Sequence, residues 1–134
     1  MATSTVEYLG GLRTKCTHLK SGKEVLTDAP TDNNGKGDAF SPTDLVATAY
    51  VSCMLTIIGI YCDNHDINFN YGKANVTKVM GSDPRRIARI EVELDFSENN
   101  WSENLHQRIM NAGEGCPVAK TIGDNVELKF EYKF

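Results

Sequence analysis

The chain has 134 residues, one domain's length, and its 40% hydrophobic and 24% charged content with 11 glycines and 4 prolines excludes disordered, collagenous and coiled-coil classes. Fourteen Lys+Arg against eighteen Asp+Glu give a net charge of -4 without a basic stripe, so nucleic acid is not an expected partner. Residues 1–8 carry neither a basic segment nor an apolar run, and the uncharged stretch 45–61 is short for a membrane span and interrupted by Thr48, Ser52, Thr56 and Gly59, so no membrane is expected either. Four cysteines, Cys16, Cys53, Cys62 and Cys116, are few for a disulfide scaffold, and a cytoplasmic protein with free thiols is expected.

In chain order, residues 6–17 and 23–26 read as short strands, with a Gly10-Gly11 break in the first and a Ser21-Gly22 turn between them. TDNNGKGDA, residues 31–39, is a loop by composition. Ser41-Pro42-Thr43-Asp44 then announces a helix, with Ser41 at the cap, Pro42 at the first helical position and Asp44 as the capping-box acid. The following LVATAYVSCMLTIIGIYC carries the helix to about Asn64, and so little charge leaves no broad solvent face, so the helix is expected to be central, with partners on most sides. Thr48, Ser52 and Thr56 recur every four residues as a stripe of small residues beside Cys53, suited to close backbone approach. A lone chain of this length cannot cover such a helix, which predicts a homodimer.

Residues 68–80 read as a strand whose alternation slips near Lys73, and GSDPRR as a turn. Ala88, Ile90, Val92, Leu94 and Phe96 alternate with Arg89, Glu91, Glu93 and Asp95, a strand with one face in the core and one wet. Asn100 with Glu103 forms a second capping pair for an amphipathic helix over residues 100–112, stopped by Gly113. Pro117 opens a short helix that Gly123 closes, and strict alternation from Asn125 to Phe134 is a terminal strand. The order of elements predicts an α+β fold in a single domain, residues 1–134, with helices on antiparallel sheet.

Chemistry centres on the thiols. No CxxC occurs, His18, His65 and His106 lack ligand spacing to them, and neither GxGxxG nor GxxxxGK[ST] is present, so neither a metal nor a nucleotide cofactor is expected. Cys53, in mid-helix, reads either as a small buried hydrophobe or as a nucleophile. Cys116 lies at a helix start, where backbone N–H groups and the helix dipole are expected to lower its pKa; the competing reading is a structural turn cysteine. Cys62 is nine residues beyond Cys53, half a turn out of phase at about 100° per residue, so these two leave opposite faces. Cys16 reads as an inert strand position. The pair best placed to cooperate is Cys53 and Cys116.

The segment FSPTDLVATAYVSC ending at Cys53, followed sixty-three positions later by CPVAK beginning at Cys116, resembles the OsmC/Ohr family of osmotically inducible and organic-hydroperoxide-resistance proteins. GGLR at 10–13 and the GKGDAFSP loop fit the same resemblance, which runs from about Val6 to the carboxyl end. It implies an intertwined homodimer, antiparallel sheets packed around long central helices, and two thiols per site near the dimer interface. It also implies reduction of organic hydroperoxides without a cofactor: Cys53 is oxidised, Cys116 resolves the product into a disulfide, Arg13 activates the thiol, and a small thiol or dithiol regenerates the pair. One departure stands out. The family's peroxidases carry a glutamate directly after the helix-opening proline, whereas this chain has Thr43 there and a carboxylate one place later, at Asp44. Asp44 is therefore a candidate site residue as well as a cap. The alternative that this departure raises is a homodimer of the same fold without efficient peroxidase activity, redox-responsive or binding a small ligand; a third reading is a structural dimer with inert cysteines.

Overall fold

Three successive residues of positive φ, Gly10 (86°), Gly11 (62°) and Leu12 (64°), reverse the chain near its start. The break expected inside one strand is thus a hairpin turn between β1 (Ser4–Gly10) and β2 (Arg13–His18), and β3 (Glu24–Asp28) completes an antiparallel sheet of order β1-β2-β3. The computed structural model describes all of residues 1–134, which form two compact units, Met1–Leu45 and Val46–Phe134. In the first, the fully buried residues are the polar Thr27, Asp28 and Ser41, while Val6, Tyr8, Leu9, Leu12, Val25 and Phe40 are exposed. That sheet has strands but no apolar core of its own.

The core belongs to the second unit. Helix α1 (Pro42–Asn64) is divided lengthwise: Ala47, Tyr50, Val51, Met54, Ile58 and Cys62 are buried, whereas Val46, Ala49, Ser52, Thr56 and Ile60 are exposed. At about 100° per residue each set occupies an arc of roughly 120° on opposite sides of the helix. The helix is thus half covered rather than covered all round. Its 23 residues run beyond the uncharged stretch and, with a mean hydropathy of 1.9, are long and apolar enough by length and composition to cross a membrane, as the core helix of a soluble protein also can be. Its buried arc, however, meets protein: the Tyr50 ring stacks on Phe130 at 6.4 Å, and Ile58 meets Gly113.

Lys73, where the alternation slips, is where β4 (Lys73–Gly81) begins, and it pairs antiparallel with β5 (Arg86–Asp95). Ile90, Val92 and Leu94 of β5, and Phe96 just beyond it, are essentially inaccessible, as alternation requires. The last strand, β6 (Glu127–Lys133), joins β5 in parallel, so the sheet β4-β5-β6 is mixed where antiparallel pairing was expected. Topology is the cause: the helices between β5 and β6 form a crossover, which returns the chain in the same direction, as no tight turn can.

The first of these helices, α2 (Glu103–Glu114), departs from its expected ends. Asn100 takes a left-handed conformation (φ 52°) that closes the preceding turn, and Ser102 occupies the cap position. Gly113 lies inside the helix rather than stopping it, because an added Cβ would stand 2.9 Å from Ile58 Cδ1. Glycine serves close helix approach here. Gly115 ends α2, and α3 (Pro117–Ile122) follows at once with Cys116 as its cap.

Candidate functional site

Cys53 falls near the edge of the exposed arc of α1, between Ile60 and Val46, yet is half-buried. Cys116 is fully buried between α2 and α3, held by the sharp Gly115-Cys116-Pro117 junction. Its Sγ accepts the Ala119 N–H at 3.5 Å, and Cys53 is near enough to influence its ionisation. Burial pushes the Cys116 thiol up; Cys53 adds to this, and the N–H groups of Ala119 and Val118 oppose it without prevailing. The lowered pKa expected of a helix-start cysteine is therefore reversed. A six-residue helix carries little dipole, and desolvation of a thiolate outweighs it.

Cys62 is buried on the far side of α1 from Cys53, its thiol pushed up by burial and by Asp63. Cys16 is half-buried on β2, in the other unit. Cys62 thus stands apart from the Cys53–Cys116 pair by helical phase within the same unit.

Three groups near the pair carry no motif. Tyr50, one turn before Cys53, is fully buried, and its hydroxyl has no hydrogen-bond partner. Burial, then the neighbouring Cys116, Glu114 and Cys53, push this phenol up to about 12. Tyr132 Oη donates to Glu114 Oε2 at 2.7 Å, and burial together with that carboxylate pushes the Tyr132 phenol up.

In the first unit, Arg13 and Asp28 stand directly opposite each other in the β2–β3 register. Arg13 Nε reaches Asp28 Oδ1 and Nη2 reaches Oδ2, both at 2.8 Å, a bidentate pair. Asp28 Oδ2 also accepts the Asp38 N–H at 3.2 Å, and the carboxylate is 1% exposed. The Arg13 hydrogen bonds hold Asp28 below the usual carboxylate range. Asp44 closes a capping box: its Oδ2 accepts the Ser41 N–H at 2.9 Å, and Ser41 Oγ accepts the Asp44 N–H at 3.1 Å. The acid that grips Arg13 is thus Asp28, which sequence reading passed over because only the strand register reveals it.

Two neighbouring thiols, one half-exposed in mid-helix and one buried at a helix cap, make a site able to exchange dithiol for disulfide on an α+β frame. The profile of the family described as OsmC-like protein matches residues 35–131, and the chain belongs to this family. A Psychrobacter arcticus 273-4 protein, named for a proposed role in osmotic stress induction and detoxification response, is 45% identical with a TM-score of 0.93, the match covering 98% of this chain and 96% of that one. A Legionella pneumophila organic hydroperoxide resistance protein OsmC shares the fold at 17% identity and a TM-score of 0.78, covering 100% and 98%. An OsmC-like protein from Mycoplasma pneumoniae does so at 14% identity and 0.79, covering 96% and 93%. No curated protein matches the chain.

Proposed function

We propose that this protein is a thiol-dependent peroxidase that reduces organic hydroperoxides. The observation that carries this reading is the placing of Cys53, which is reachable from outside, within electrostatic reach of Cys116, which is not. The Cys53 thiolate attacks the distal peroxide oxygen; the O–O bond breaks, the alkoxide takes a proton and leaves as an alcohol, and Cys53 becomes a sulfenic acid. Cys116 then attacks the Cys53 sulfur, the S–O bond breaks, and hydroxide leaves with the Cys116 proton as water, forming the disulfide. A small thiol or dithiol returns both sulfurs to the reduced state, which suits a reducing cytoplasm.

A half-buried thiol needs a positive neighbour to ionise, and Arg13, held in one orientation by Asp28, is proposed to supply it in the assembled homodimer. Thr43 in the family's glutamate position favours the second reading, a redox-responsive or ligand-binding homodimer without efficient turnover. The Asp28 grip supports the first reading, because it gives Arg13 a carboxylate from another strand.

Turnover of cumene hydroperoxide with dithiothreitol separates the readings. Burial of the cumyl group is worth about 2 kcal/mol, so cumene hydroperoxide is expected to outpace hydrogen peroxide by roughly tenfold or more. Consumption no faster than the dithiothreitol background contradicts the peroxidase reading.

A further inference from the structure

Tyr50 is a tyrosine placed where phenylalanine would pack as well. Its ring is fully buried and stacks on Phe130, yet the hydroxyl is an orphaned buried oxygen, which is costly in an apolar interior unless something uses it. The ionisable groups that bear on it are Cys116, Glu114 and Cys53, and it bears in turn on Tyr132. Of these, the Glu114 carboxylate and the Tyr132 hydroxyl are already engaged with each other. That leaves the thiol pair, and Tyr50 precedes Cys53 by three residues, so the two side chains are neighbours along one side of α1.

The resolving step has an unmet need at this place. Cys116 must act as a thiolate while fully buried, and the backbone offers it only the N–H groups of Val118 and Ala119, the latter at a long 3.5 Å. We infer that the Tyr50 hydroxyl donates a hydrogen bond to Cys116 Sγ as that sulfur gives up its proton and attacks Cys53 sulfenic acid. The inference rests on the peroxidase reading and assigns to Tyr50 the stabilisation of charge that exists only during resolution. Tyr50 itself neither gains nor loses a proton. It remains a donor throughout the physiological range, since its phenol is pushed up to about 12. The groups that set the local field are Cys53 on α1, Glu114 on α2, Tyr132 on β6 and the N–H groups of Val118 and Ala119 on α3.

The test is single-turnover oxidation of the full reduced chain, wild type and Tyr50→Phe, by one equivalent of cumene hydroperoxide. Sulfenic acid is trapped with dimedone and the disulfide is followed by mass at several pH values. Loss of one hydrogen bond to a charged sulfur predicts that Y50F forms sulfenic acid at the wild-type rate but closes the disulfide about tenfold more slowly, with the pH midpoint of closure raised by about one unit. Closure at the wild-type rate with an unchanged midpoint overturns the inference alone. Absence of sulfenic acid in the wild type overturns the peroxidase reading and this inference with it. Should Y50F fold poorly, protein carrying 3-fluorotyrosine, a stronger donor of nearly the same shape, is expected to close the disulfide faster than wild type, and an unchanged rate counts against the role.

Discussion

Replacing Cys53 with alanine is expected to abolish hydroperoxide turnover, lowering it by about a thousandfold or more, because the proposed mechanism has no other sulfur able to take its place. Cys116 cannot substitute: it is fully buried, and burial keeps it protonated. Cys62 faces the opposite side of α1 and is buried as well. The structural cost of the change is small, since Cys53 sits at the edge of the core cluster rather than inside it. Turnover with dithiothreitol, compared with a thermal melt of the same variant, separates lost chemistry from lost fold. An active C53A protein would remove the helix cysteine from the mechanism.

Charging the exposed arc of α1 is expected to have the second largest effect, on assembly rather than on chemistry. Val46 is 44% exposed and Ile60 51%, and they lie fourteen residues apart, nearly in phase after about four turns. Beside this strip, on the side of the helix toward β4, lies an open groove of about 350 Å³ lined in part by Val51, Ser52, Leu55 and Thr56 of α1 and Val76 of β4. Soluble proteins rarely leave such an apolar strip in water, and a second copy of the chain would cover both strips at once about a two-fold axis, as proposed above. The coreless β1-β2-β3 sheet, with Val6, Tyr8 and Leu9 exposed, has the same need for cover. V46D with I60D places unpaired charge in the proposed interface at about 4 kcal/mol, roughly a thousandfold in dissociation constant. Sedimentation at micromolar concentration is expected to give a dimer for the wild type and a monomer for the double variant; a compact wild-type monomer contradicts the dimer.

What the sequence made legible was local. The Ser41-Pro42-Asp44 signal placed the start of α1, strict alternation placed β5 and β6, and Pro117 after Cys116 placed α3. Each of these is written in neighbouring residues. The hairpin at Gly10–Leu12 was harder to see, since a pair of glycines signals a break without saying that the chain reverses. Gly113 was misleading for a related reason: its absent side chain serves contact with Ile58 from another helix, which no local rule reports. The same limit applies to the site. The Cys53 and Cys116 segments were recognisable from their motifs, whereas the Arg13–Asp28 pair depends on strand register, and Tyr50, Glu114 and Tyr132 meet only through the packing of α1, α2 and β6. The direction of the Cys116 shift was missed because the helix-start effect is local and burial is not.

The account turns on one covalent bond, and peptide mapping by mass spectrometry after one equivalent of cumene hydroperoxide reads it directly. The expected product is a Cys53–Cys116 disulfide within one chain, with Cys16 and Cys62 recovered as free thiols, because Cys53 already bears on the ionisation of Cys116 and Cys62 leaves the opposite face of α1. A bridge that includes Cys62, or a folded protein in which neither Cys53 nor Cys116 is oxidised, would contradict it.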